Sequence, residues 1–100
     1  QSGAFVPIIY HKDKKHQLFA VWTTGTIELY FYWYSYKYPF DNLEKRIEII
    51  NKLNQIDGID LPMDSVNKRP SIHLEDLAKG NNIDQFLAVF DWVVNEIKQS

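Results

Sequence analysis

The chain contains no cysteine. That excludes disulfides and thiolate metal sites, and it fits a reducing, cytoplasmic setting. Its four glycines stand alone in the sequence, so no glycine-rich loop exists to cradle a phosphate. No apolar run approaches the ~20 residues that a membrane-spanning helix requires, and no signal peptide is visible. Charge of one sign is also missing. Lys and Arg number 11 against 13 Asp and Glu, a net charge of −2, whereas a dedicated nucleic-acid domain is usually basic overall.

Residues for chemistry are equally sparse. A zinc site needs three or four converging ligands. His11 and His16 flank one predicted turn and His73 lies far off in sequence, so no metal site is expected. Asp57, Asp60 and Asp64 lack the spacing of a calcium loop. Ser35, Ser65 and Ser71 lack a nucleophile-elbow context. Glu96-Ile97-Lys98, preceded by Asp91, has the E-x-K order of restriction-type nucleases. It falls on a predicted helix, where Glu96 and Lys98 point apart and Ile97 belongs to the buried stripe. The match is read as chance. No catalytic constellation remains, so the expectation is a non-enzymatic protein with no cofactor and no metal.

Aromatic side chains are plentiful at 15% of the residues, within a chain that is 45% hydrophobic and 24% charged. One hundred residues fit one domain, and large rings add much apolar area to so small a core. The opening Gln1-Ser2-Gly3 reads as a processing or expression scar, which suggests an excised piece of a longer protein. The domain is therefore read over residues 4–98.

Ala4 to His11 reads as a strand broken or pushed to an edge by Pro7, which cannot donate to a ladder. Lys12 to His16 reads as a polar turn, and Gln17 to Thr24 as a second strand. Gly25 permits the next tight turn. Ile27 to Tyr38 then predicts one long strand. Ile27, Leu29, Phe31 and Trp33 alternate onto a core face, and Glu28, Tyr30, Tyr32, Tyr34 and Tyr36 onto the opposite one.

Asp41 with Glu44 has capping-box spacing, Asp41 being the N-cap. Leu43, Ile47, Ile50, Leu53 and Ile56 recur at helical spacing, which predicts a helix over residues 42–56 closed by Gly58. Residues 64–68 and 75–78 suggest short helical turns, and residues 70–74 a fourth short strand. Asn82 is read as the cap of a second helix, whose buried stripe is Ile83, Phe86, Phe90, Val93 and Ile97, widened by Leu87, Val89 and Val94, running to about Lys98. The order β-β-β-α-(β)-α predicts an α+β fold: a three- to four-stranded antiparallel sheet with two helices packed on one face.

The tyrosine stripe is the most unusual feature. Tyr30, Tyr32, Tyr34 and Tyr36, with Trp22 from the neighbouring strand, form the candidate interaction surface, since a contiguous exposed aromatic patch marks an interface. The readings at this point are cover by the rest of the chain, contact with a partner, or stacking on bases or sugars. Lys12, Lys14, Lys15 and Arg69 are the candidate phosphate or partner contacts. Arg69 has two readings, a clamp on a carboxylate such as Asp91 or a phosphate ligand. Lys45, Arg46 and Lys52 on the first helix read as solvated charge among Glu44 and Glu48.

Three segments together resemble a bacterial domain of unknown function found as the C-terminal part of longer proteins. They are LFAVWTTGTIELYFYW, PFDNLEKRIEIINKLNQIDGIDLP, and RPSIHLEDLA followed by FLAVFDWVVNEI. The pattern is W-x-x-G-x-[IV]-E, then G-[IV]-x-[IL]-P, R-P-S and F-D-W, across most of residues 5–97. The element order is also similar to small domains attached to restriction–modification proteins and to double-wing DNA-binding-like domains. The resemblance implies no catalytic residues. The missing catalytic constellation, the suspected excision and the tyrosine-rich face lead to the expectation of an accessory domain that acts through other domains of its parent or a protein partner, away from membranes. Two further expectations stand beside it. One is a nucleic-acid-contacting module of a restriction–modification or DNA-repair-linked protein. The other is an enzyme site shared with a neighbouring domain, with Glu28, His73 and Arg69 as its first residues.

Overall fold

The structure, a computed structural model, describes residues 3–100; Gln1 and Ser2 of the suspected scar lie outside the described residues. The chain runs β1 (Ala4–Phe5), β2 (Ile8–His11), β3 (Lys14–Gln17), β4 (Phe19–Trp22), β5 (Thr26–Leu29), α1 (Phe31–Tyr34), α2 (Leu43–Asn54), a 3₁₀ segment (Met63–Asn67), β6 (Ser71–His73), α3 (Leu74–Leu77) and α4 (Asn82–Lys98). The fold is α+β, with a four-stranded antiparallel sheet in the order β1-β4-β5-β6 and a separate two-stranded ribbon β2-β3. No helix of the described residues is long and apolar enough to cross a membrane.

Pro7 divides the first strand as expected. Before it, Ala4 and Phe5 pair with Trp22 and Val21 at the sheet edge. After it, Ile8 to His11 leave for the ribbon. The polar turn is shorter than the sequence suggests. His11 pairs with Lys14, so only Lys12 and Asp13 form the loop, both at positive φ. A two-residue loop with both φ angles positive matches the right-handed twist of its strands. Lys14, Lys15 and His16 are therefore strand residues.

The long strand is about a third of its expected length, ending at Leu29. Phe19 pairs with Leu29, and Ile27 with Ile72 on the other side. The Leu29 amide still donates to the Pro70 carbonyl at 2.8 Å, but no ladder continues past it. Tyr30 turns the chain, and Phe31 to Tyr34 coil into a single helical turn against the 3₁₀ segment, where the Tyr32 amide donates to Lys68. The cause lies in composition: Leu29 to Tyr34 has no polar residue and is hydrophobic at every position, so it fits either period.

The two long helices sit where periodicity places them. Asn42 caps α2 by accepting from the Lys45 amide at 3.2 Å, one residue beyond the expected Asp41. α4 lays Phe86 and Phe90 on Phe19 of β4, with ring centroids 5.2 and 4.9 Å apart. Such edge-to-face contacts join the helix to the sheet. Lys52 lies 4.8 Å above the Trp92 ring, and Lys45 pairs with Glu96, so both ends of α2 are tied to the C-terminal half of α4. Ile83 and Leu87, expected in the buried stripe, are exposed at the outer side of α4. Asn82 is buried within α4. Rather than capping the helix, its amide donates to the Asp57 and Asp76 carbonyls at 2.9 and 2.8 Å, and Asn81 takes the cap position.

Arg46 is the largest departure from the expected solvated helix face. It is 6% exposed and faces no carboxylate at bonding distance. Its Nε donates to Val66 at 2.9 Å, one terminal nitrogen to the Phe40 and Asp41 carbonyls, and the other to Asn67. The guanidinium fork thus ties α2 to the loop before it and to the 3₁₀ segment.

Candidate interaction surface

The early end of β5 divides the tyrosine stripe. Tyr30 and Tyr34 are buried, whereas Tyr32 and Tyr36 face solvent. Burial with period 3.6 explains the division, since Tyr30, Phe31 and Tyr34 share the inner side of a helical turn. The Tyr34 hydroxyl donates to the Leu18 carbonyl, and burial pushes that phenol far above its ordinary range. Trp33, expected in the core, is 43% exposed. A single four-phenol face is therefore replaced by an outward corner of Tyr32, Trp33 and Tyr36.

The rings of this corner hold one another. Tyr32 meets Trp33 at 5.2 Å and Tyr36 at 5.4 Å, and Trp33 meets Tyr36 at 6.3 Å. The Tyr36 hydroxyl donates to that of Tyr32 at 3.3 Å, which raises the Tyr36 pKa. The three rings form a preassembled aromatic surface with polar tips.

Trp22 and Arg69 lie elsewhere. The Trp22 indole donates to Glu28 at 3.1 Å, and Arg69 approaches the other oxygen of the same carboxylate at 3.4 Å. Arg69 thus has Glu28 as its partner, not Asp91. Trp22 and Arg69 thus meet at the Glu28 carboxylate on the outer face of the sheet. Thr26 pairs with His73 in β6, so His73 shares that face.

The basic residues gather at the ribbon. Lys12, Lys14 and Lys15 are exposed on it, and the Lys37 ammonium reaches across to donate to the Lys15 carbonyl. His16, between them, is buried. Desolvation lowers its pKa below the ordinary 6.5, and Lys37, His11 and Lys14 lower it further. Lys37, from the segment after α1, and Lys14 of β3 are cations that oppose a charge on His16. A histidine whose folded pKa is depressed leaves stability unchanged while both states are neutral. As pH falls below 6.5 the unfolded chain takes up a proton that the fold resists. The urea midpoint is therefore expected to drop as pH is lowered from 6.5 and to level off below the folded-state value, and His16→Gln is expected to flatten that slope. An unchanged slope in the variant would refute the assignment.

A cleft of 220 Å³ opens beside the aromatic corner. It is lined by Trp33, by buried Tyr34, Phe40, Val93, Ile97 and His16, and by exposed Lys15 and half-buried Lys37. Nothing in the hydropathy pattern announces it, because its residues come from four separate stretches. Comparison with protein-family models, with curated proteins and with solved structures finds no match.

Proposed function

We propose that this chain is a non-catalytic accessory domain of a larger bacterial cytoplasmic protein, and that it binds a protein partner or a sister domain through the aromatic corner. The observation that carries the reading is the Tyr32–Trp33–Tyr36 cluster. Its rings are in mutual contact yet 42%, 43% and 65% exposed. Tyr and Trp dominate interface hot spots, because a rigid ring buries much area for little entropy and keeps a polar tip bonded. Co-purification from the native host tests this. A Tyr32→Ser/Tyr36→Ser variant at wild-type abundance is expected to lose one specific partner by about tenfold or more, equivalent to about 1.4 kcal/mol. Equal recovery of every partner removes the reading.

A second reading draws on the ribbon. Lys12, Lys14 and Lys15 stand on it, and Lys15 and Lys37 share the cleft with Trp33. That combination of cations and an exposed ring suits a nucleic-acid strand of a restriction–modification or repair-linked protein. Arg69 is left out of this surface by its pairing with Glu28. Oligonucleotide binding at low salt is then expected to weaken steeply as salt is added. Absence of binding at low salt ends the proposal.

A further inference from the structure

Between the aromatic corner and the basic ribbon lies the cleft. We infer that this cleft is a binding site for a small aromatic monocarboxylate. The inference goes beyond the partner surface, because neither Tyr32 nor Tyr36 lines the cleft.

Size sets the class of ligand. The cleft measures 220 Å³, whereas an apolar cavity of about 150 Å³ accepts benzene and drug-sized ligands occupy about 300–1,000 Å³. One ring with a short tail fits between those limits. Lining sets the kind of ring. Trp33, Tyr34 and Phe40 offer edges and faces to an arene, and Val93 and Ile97 complete the apolar lining. Tyr34 contributes only its ring, since its hydroxyl already bonds the Leu18 carbonyl.

Charge sets the head group. Lys15, exposed, and Lys37, half-buried, bring two ammonium groups to the solvent side of the lining, and none of the lining residues is acidic. Lys37 uses one donor on the Lys15 carbonyl, and an ammonium has three. A carboxylate on that side meets the remaining donors while its ring enters the cleft. A neutral analogue fills the same apolar space without those bonds, and an amine meets like charge. Charge-assisted hydrogen bonds are roughly twice as strong as neutral ones, so the acid should bind about tenfold or more tightly than the alcohol of the same skeleton.

Calorimetry on the whole chain with 3-phenylpropionate, 3-phenylpropanol and phenethylamine, joined to amide chemical-shift mapping, tests this. The expected result is saturable binding of the acid at least about tenfold tighter than the alcohol, no measurable binding of the amine, and shifts centred on Lys15, Trp33, Lys37 and Val93. Lys37→Met, at a half-buried site, is expected to reduce the acid to the alcohol's affinity. Val93→Phe, checked for folding by circular dichroism, is expected to block both. The Tyr32→Ser/Tyr36→Ser variant is expected to bind the acid as wild type does, which separates this site from the partner surface. Equal affinity for acid and alcohol, shifts centred elsewhere, an unaffected Lys37→Met protein, or no binding up to about ten millimolar acid would each overturn the inference.

Discussion

Replacing Tyr34 with alanine is expected to cost about 3–5 kcal/mol, the usual range for deleting a fully buried ring, while the same change at Trp33 costs about 1 kcal/mol. Tyr34 is 7% exposed, packs edge-to-face with Phe31 at 5.2 Å and donates to the Leu18 carbonyl. Removing it opens a cavity and strips that carbonyl of its donor. Trp33 is the larger side chain, yet it stands 43% exposed at the corner and gives up less buried area. Ranked by size alone the two would fall the other way. They would also reverse if residues 27–38 were one strand, with Trp33 on the core face and Tyr34 outside. Guanidinium titrations followed by far-ultraviolet circular dichroism decide the matter. A costlier Trp33 substitution would mean that the helical turn after Leu29 is wrong, and with it the exposure of the corner.

Arg46→Met is the second large effect, expected at about 3 kcal/mol or more. Methionine keeps much of the stem's packing but leaves the buried Val66 and Phe40 carbonyls without donors. Each orphaned buried acceptor costs about 1–3 kcal/mol. Against a total stability of about 5–15 kcal/mol for a domain, the loss is severe. Arg46→Lys is expected to recover less than half of it. A compact ammonium cannot span carbonyls on the Phe40 loop and the 3₁₀ segment at once, as the planar fork does. The partners are neutral carbonyls and an amide, so added salt should change the difference between wild type and variant little. A near-neutral Arg46→Met protein would place this side chain in solvent, where the helix charge pattern alone had put it.

The resemblance to a bacterial C-terminal domain stays a proposal, but its residues acquire a physical reading. Arg69 lies far from Glu28 in sequence yet pairs with its carboxylate, which also accepts from the Trp22 indole of the neighbouring strand. Gly25 and Gly58 take positive φ at a strand turn and after α2, where a side chain would be strained. Phe90 packs on Phe19, while Trp92 meets Phe40 and Lys52.

By itself, the sequence determined the fold class, the two long helices, the break at Pro7 and the short fourth strand. Helical spacing in α2 and α4 is a local property, strong enough for neighbouring turns to agree on one face. Only the tertiary structure decided where β5 ends, which tyrosines reach solvent, that Arg46 is interior, and that ribbon, corner and α4 enclose a cleft. The physical reason is the same in each case. A strand extends only as far as another strand pairs with it, and a charged side chain is buried only where distant carbonyls meet it. Leu29 to Tyr34 is apolar throughout and carries no period of its own, so partners from elsewhere in the chain set its conformation.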